Sequence, residues 1–387
     1  MISLQSFSRR VQTSVPWTET GLIGVDFSID NINLVQLGTM INGKVGLRSC
    51  CSIKYEKSRE ELLSSPKNLR PILHQVIKEH GFKGKNIISS MPSSDVRIYS
   101  INYTKSKNSD DSESILQALQ GRIDEDLSQY VIDYLPVRSD DKHGEQLALV
   151  ALVKQDLVIS YLELLRNSGL HVEALEIRPA AIKRLVYSIH QKQNYQNVLV
   201  INFGNDKSYL TVTSGRRLLF DHQINFGVKA LVEKMSNVLE MPHEATLGLM
   251  HKHGFEIGNG SSSGSGSDSN SSSPQSTYID EDVTKTLLDI AKPIFSELID
   301  EINRILIFAA SENQGESITN IFLLGSLAHI KGVDDYLDKK LNISVQSLSD
   351  PLASFRNASS QEIFEEMSTP DMAIATGLAL KGLVNNE

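Results

Sequence analysis

Asp26 and Asn202 occupy equivalent places in two stretches of the chain that resemble each other. The first, LIGVDFSIDNINLVQL, spans 22–37, and the second, VLVINFGNDKSYLTVT, spans 198–213. Laid over each other, Asp26 meets Asn202, Phe27 meets Phe203, Ser28 meets Gly204, Asp30 meets Asp206 and Leu34 meets Leu210. Each is a β-rich run, a polar break and a second β-rich run with apolar residues at alternate positions. That pattern predicts strand, tight turn, strand. A carboxylate closing the first strand of such a unit can hold Mg²⁺, often through water. A small residue at the turn lets the backbone approach a phosphate, and successive N–H groups there can cradle it. The first copy has the acid, Asp26, but a serine at the turn, Ser28. The second has the glycine, Gly204, but an amide, Asn202, in place of the acid. Either copy alone also fits an ordinary hairpin. The match between them favours two related lobes whose turns face one cleft.

The rest of the chain supplies elements to position those turns. Strands are expected at 45–54, 86–91, 96–103, 130–137, 147–153, 171–177, 217–225, 320–324 and 343–346. Helical spacing of apolar residues predicts helices over 58–80, with Pro71 kinking or dividing the first, and over 115–127. A helix capped by Asp156 should run through Asn167, and another should open at Arg178-Pro179. Gly227 should precede a helix over 228–240, and a further one should run from Pro242 to Gly254. A long helix containing Pro293 should start at Asp280, and a terminal helix should cover 371–383. The small residues Ala373, Ala375, Gly377 and Ala379 on one side of that last helix predict close packing. The tract 259–276, rich in Ser and Gly with no apolar anchor, predicts a flexible linker.

Composition sets bounds. At 387 residues the chain suits two domains, and 40% apolar with 22% charged residues is ordinary for a globular protein. A net charge of −9 argues against a surface built to bind nucleic acid or anionic lipid as a whole. The two cysteines, Cys50 and Cys51, are adjacent, which argues against a disulfide and fits a reducing compartment. The longest apolar run, 147–165, is broken by Lys154, Gln155 and Asp156, so no membrane-spanning helix is expected. Residues 1–20 read as a flexible leader; Leu4, Phe7 and Val11 beside Arg9 and Arg10 give it a second reading as a membrane-surface helix. His243, His251 and His253 do not follow a metal-ligand spacing and read as solvated. Asp110, Asp111 and Glu113 read as an acidic helix start.

Four later stretches carry a family resemblance. IFLLGSLAHIKGV (321–333) resembles the adenosine-site segment of the PilM family, actin-like cytoplasmic proteins of type IV pilus assembly. LLRNSGLHVEALEIRPAAI (164–182), AKPIFSELIDEINRILIF (291–308) and AIATGLALKGL (373–383) are similar to further passages of that family in the same order. Residues 111–135 fit the insertion subdomain that the family shares in outline with FtsA. The resemblance covers about 20–384. It implies an α/β, actin-like ATPase fold of duplicated ribonuclease-H-like lobes with an FtsA-like α/β insertion. The implied boundaries are a first lobe at 21–195 with the insertion at about 86–176, and a second lobe at 196–370. The second lobe would hold a helical subdomain at about 227–310. The terminal helix, 371–387, would return to the first lobe.

The resemblance also implies a site and partners. If nucleotide binding is retained, ATP and Mg²⁺ would meet Asp26, Phe27, Ser28, Asp30 and Asn31 from the first lobe, with Asp26 on the metal. The second lobe would offer Asn202, Gly204, Asn205, Lys207, Ser208, Gly227, Lys229, Gly325, Ser326 and Leu327. The sequence departs from the family at the acid before Gly204 and at the glycine run, which here is Gly325-Ser326-Leu327. A lost charge-assisted contact removes roughly 1.5–3 kcal/mol, or about ten- to a hundredfold in affinity. The implied function is a scaffold, peripheral at the cytoplasmic face of the inner membrane. It would bind the N-terminal tail of a PilN-like membrane protein, with the pilus assembly motor a further partner and self-association open. Segments near 87–103 and 147–153 are the expected lining of the tail groove. The alternative is an Mg-ATP-binding protein or ATPase, against which stands the lack of an evident general base.

Overall fold

A computed structural model describes residues 16–28, 31–56, 58–104, 110–139, 145–190, 197–255, 274–313, 315–356 and 369–383. Asp30, most of the 1–20 leader and residues 259–273 of the Ser/Gly tract lie outside them. The chain divides into two compact units, Met1–Gln196 with Thr211–His222 and Asp350–Glu387, and Asn197–Leu210 with Gln223–Ser349.

The first unit is built on a five-stranded sheet. Strands β1 (Trp17–Phe27), β2 (Asn31–Met40) and β3 (Val45–Lys54) form an antiparallel meander. Strands β4 (Asn86–Ser90) and β8 (His171–Glu176) then add in parallel, giving the order β3-β2-β1-β4-β8. Helices α1 (Arg59–Leu63), α2 (Pro66–Glu79) and α4 (Gln155–Asn167) share one core cluster with this sheet: Leu62, Leu69, Leu73 and Leu165 pack with Ile23, Val25 and Ile87. Cys51 lies in that cluster, while the neighbouring Cys50 sits within the field of Arg356 and Asp350. The two thiols therefore project to opposite faces of β3, as the two-residue strand period requires.

Three strands stand apart. β5 (Arg97–Thr104), β6 (Tyr130–Ser139) and β7 (Glu145–Lys154) form a separate antiparallel sheet with β7 in the centre. Helix α3 (Asp111–Gln120) packs on it through Ile115 and Leu119 against Ile101, Val150 and Leu152. The insertion expected over 86–176 is therefore narrower. β4 and β8 belong to the main sheet, and only about 97–154 is separate.

Local chemistry explains several shifted boundaries. The expected 58–80 helix divides before Pro71, because Ser58 and Ser65 each accept a backbone N–H two or three residues on and so start a helix. The expected 115–127 helix begins earlier, at Asp111 after Asp110, and ends at Gly121. β6 runs through Pro136 to Ser139, two residues beyond its expected end. A register shift between Pro136 and Arg138 absorbs the proline on an edge strand. Asp156 is not the cap of α4; it lies within the first turn.

The second sheet has the order β11-β10-β9-β12-β13, from β9 (Asn197–Phe203), β10 (Ser208–Ser214), β11 (Arg217–Ile224), β12 (Asn320–Gly325) and β13 (Ser344–Ser347). β12 pairs in parallel with both β9 and β13. Strand for strand, this repeats the first sheet. Around it lie α6 (Val228–Leu239), α7 (His243–His253), α8 (Pro274–Glu312) and α9 (Val333–Leu341). Pro274 opens α8 earlier than the expected Asp280, so 274–276 are helical and not linker. Phe255 meets Phe295 edge-on and Phe295 meets Tyr336 at a tilt, with ring centroids 5.3 and 5.2 Å apart.

The end of the chain rejoins the first unit. The terminal helix α10 is Ala373–Ala379, shorter than the expected 371–383. A Cβ at Gly377 would overlap the carbonyl oxygen of Ala181 on α5 (Arg178–His190). The glycine sets the spacing of the two helices. Beside it, Arg184 donates to Glu176 at 2.9 and 3.1 Å and to the Gly377 carbonyl at 2.7 Å, and Lys381 also pairs with Glu176.

Candidate functional site

The first turn is closed by its own hydrogen bonds. Asp26, at the end of β1, is 5% exposed. One carboxylate oxygen accepts from the Ser28 hydroxyl at 2.5 Å and the other from the Ser90 hydroxyl at 2.9 Å. Ser28 in turn accepts from the Asn33 amide at 2.9 Å, and that amide also donates to the Asp371 carbonyl at 3.1 Å. Tyr55 donates to the Ser28 carbonyl at 2.9 Å. Burial pushes the Asp26 carboxyl above its usual range; the two hydroxyls and the charges of Arg59 and Arg178 oppose that shift without cancelling it. Phe27 is buried and meets Tyr161 edge-on, so it serves the core. Asn31 is half-buried, its amide 3.5 Å from the Asp371 carboxylate.

The second turn is closed in a different way. Asn205, Asp206 and Lys207 are exposed at its tip. The Gly204 and Asn205 carbonyls each accept at 3.0 Å from the first N–H groups of α6, those of Val228 and Lys229. Those donors are thereby taken from any ligand. A Cβ at Gly227 would collide with the Asn205 carbonyl, so this glycine serves packing of the turn on α6. Ser208 is fully buried and donates to the Phe226 carbonyl at 2.8 Å. Lys229 lies 3.8 Å from Asp206 with both side chains exposed, a weak pairing in water.

Gly325 closes β12 at φ +79°, which favours glycine. A Cβ there would overlap the Phe203 carbonyl and lie 2.8 Å from the Asn202 side-chain oxygen. Ser326 is half-buried, and Leu327 is fully buried. Thus Asp26, Ser28 and Asn31 stand together in one unit, and Asn202, Gly204, Gly227 and Gly325 in the other.

A tightly held Mg-nucleotide would have to displace hydrogen bonds already made here. Asp26 has both oxygens engaged by hydroxyls and a raised tendency to hold a proton. The helix donors of the second turn are spent on carbonyls. Among the described residues, no buried polar atom within either turn awaits a partner, although the Nε of Arg59, whose charge acts on Asp26, does. No cluster of three metal-ligating side chains occurs among them either.

Sequence reasoning missed Ser90, Arg59, Arg178 and Asp221. Arg178 is 7% exposed, donates to Ser93 at 2.7 Å and faces Asp221 at 3.8 Å. Burial raises the Asp221 carboxyl, with Arg178 and the Thr211 hydroxyl opposing. A signal was present: an arginine opening a helix runs against the dipole and needs another reason to be there.

A groove of about 470 Å³ also lies in the first unit, between α1, residues 92–95 and α4. Leu63, Pro66, Pro92, Leu157 and Leu164 give it an apolar strip, bordered by the charged Arg59, Glu60, Asp95 and Glu163. Of segments 87–103 and 147–153, only residues 92–95 reach it. Segment 147–153 does not, because β7 is the buried centre of its sheet.

The family model described as type IV pilus assembly protein PilM matches residues 24–253 and 278–383. The chain belongs to that family. A solved PilM-PilN type IV pilus biogenesis complex contains a chain with a TM-score of 0.71 at 18% identity, covering 94% of this chain and 99% of the other. The ethanolamine utilization protein EutJ from Carboxydothermus hydrogenoformans gives 0.50 at 10% identity, covering 94% and 90%. A search of curated proteins finds no match. The fold of this PilM family member is therefore the actin-like ATPase fold, as the family resemblance implied. No helix among the described residues is long and apolar enough to cross a membrane.

Proposed function

We propose that this PilM family member is a scaffold of type IV pilus assembly with nucleotide binding weakened or lost. It works in the cytoplasm at the inner membrane and binds the N-terminal tail of a PilN-like membrane protein. The observation carrying this reading is a family match over both halves of the chain, set against two turns whose polar groups are satisfied internally. The groove between α1 and α4, with its apolar strip, is the proposed seat of the tail. The test is co-purification with a tagged PilN-like tail. Leu157→Glu, at a half-exposed groove position, should abolish retention, whereas Ile307→Glu, at an exposed position of α8, should leave it intact. No retention by the unaltered chain, or equal retention by both variants, overturns the reading.

One observation favours a second reading, that Mg-ATP binds. Asp26 remains an acid where burial works against its charge. Calorimetric titration with Mg-ATP separates the two. Micromolar binding lost in Asp26→Asn supports the second, and no heat at millimolar ATP supports the first.

A further inference from the structure

The first unit holds a cavity of about 770 Å³ at the end of its sheet opposite Asp26. Residues 83–85 lead into β4 and residues 168–170 into β8, so the cavity sits where these parallel strands begin. Asp26 and Ser90 sit where β1 and β4 end. At about 3.3 Å per residue, the five residues of β4 put the two places roughly 17 Å apart.

Six basic side chains line this cavity: Arg48, Arg70, His74, Lys78, Lys83 and Lys85. No Asp or Glu is among its fifteen lining residues, although the chain as a whole carries a net charge of −9. Among the described residues, none of the six forms an ion pair with a carboxylate. Arg70, His74 and Lys78 recur at four-residue intervals on α2, so they stand on one face. Lys83 and Lys85 flank Gly84 in a turn fixed from below. The buried Gln36 side chain accepts from the Lys83 N–H at 2.8 Å and donates to the Lys83 carbonyl at 2.8 Å. The floor is apolar, from Leu73, Phe82 and Leu170, and the Arg48 guanidinium lies 4.8 Å from the centre of the Trp17 ring. The volume is that of a small-molecule site. Arg48 is half-buried and Arg70, Lys78, Lys83 and Lys85 are exposed, and guanidinium and ammonium groups lining one concavity suit phosphate oxygens.

We propose that this cavity binds a phosphorylated ligand, the phosphate coming from a soluble ester or from a lipid headgroup. The proposal is independent of the pilus reading, because its readout involves neither the tail nor ATP.

The test uses the full chain with two probes: inorganic pyrophosphate followed by calorimetry, and phosphatidylglycerol–phosphatidylcholine vesicles followed by co-sedimentation. The key variant is the triple Arg70→Gln, His74→Gln, Lys78→Gln. All three side chains are exposed, so the variant should keep the circular dichroism spectrum and cooperative melt of the folded chain. Its affinity for whichever probe binds should fall at least tenfold. Lys339→Gln with Lys340→Gln on α9 should leave that affinity unchanged. Binding of pyrophosphate points to a soluble ester, and binding of vesicles alone points to a headgroup. Binding of neither probe overturns the proposal. So does equal loss in the α9 variant, or displacement by polyglutamate where phosphate has no effect, which would mark an acidic peptide as the occupant.

Discussion

Asp26 shows what a single side chain can reveal about a site closed by its own neighbours. Its two oxygens are held by Ser28 and Ser90, and burial still leaves its carboxyl above the ordinary range. An ionised group in that position costs stability near neutral pH. Asp26→Asn keeps the shape and removes the charge, so it should melt above the unaltered chain at pH 7.5. The gap should close as the pH is lowered and Asp26 itself takes up a proton; thermal melts across pH check both halves. Arg184 makes the opposite case. Burial opposes the charge of Glu176, but Arg184 and Lys381 together outweigh it and hold the carboxyl below its usual range. Arg184→Met should cost about 3 kcal/mol, because it strands a buried carboxylate with one cation and leaves the Gly377 carbonyl without its donor. Urea unfolding at pH 7 measures that loss.

At the scale of elements, much of the chain was legible in its residues. The two hairpins announced themselves by a repeated pattern of Asp or Asn, Phe, a small residue and alternating apolar positions, and each forms where expected. Boundaries were harder, because they turn on single groups. Ser65 starts a helix that apolar spacing alone ran through, and one irregular step lets Pro136 stay inside β6. The extent of the insertion was illegible for a different reason. Whether β4 and β8 join the main sheet is decided by pairing with β1, distant in sequence. The site was legible as positions and not as chemistry: Ser28 could be named, but nothing in the sequence places Ser90 beside Asp26. Close packing of the terminal helix was legible from its small residues. Gly377→Ala tests it with a reversed sign. In an open helix the change stabilises by about 1 kcal/mol. Here the new methyl meets the Ala181 backbone, so the melt should instead fall by an amount equivalent to about 1–3 kcal/mol.

For the whole molecule, the same strand order in both sheets makes the chain two versions of one plan, each with its turn chemistry altered at a different residue. Its buried carboxyls set how it responds to acid. Asp26 and Asp221 have raised values, so their cost is present at neutral pH and is relieved as pH falls through those values. Glu176 has a lowered value, so its contribution holds above the ordinary carboxylate range and vanishes as pH falls through the depressed one. Melting temperature should therefore peak on the acid side of neutral and drop steeply below about pH 4. The adjacent cysteines offer a clock for the same events. Both thiols are buried, and burial pushes both up, Cys51 to about 12, so neither reacts with an alkylating reagent while β3 stays covered. Because they face opposite sides of the strand, each times a different opening. Modification of Cys50 records departure of the segment around Asp350 and Arg356, and modification of Cys51 records departure of the helices on the other face. Mass spectrometry of partly labelled chains would show which layer of the first unit lets go first.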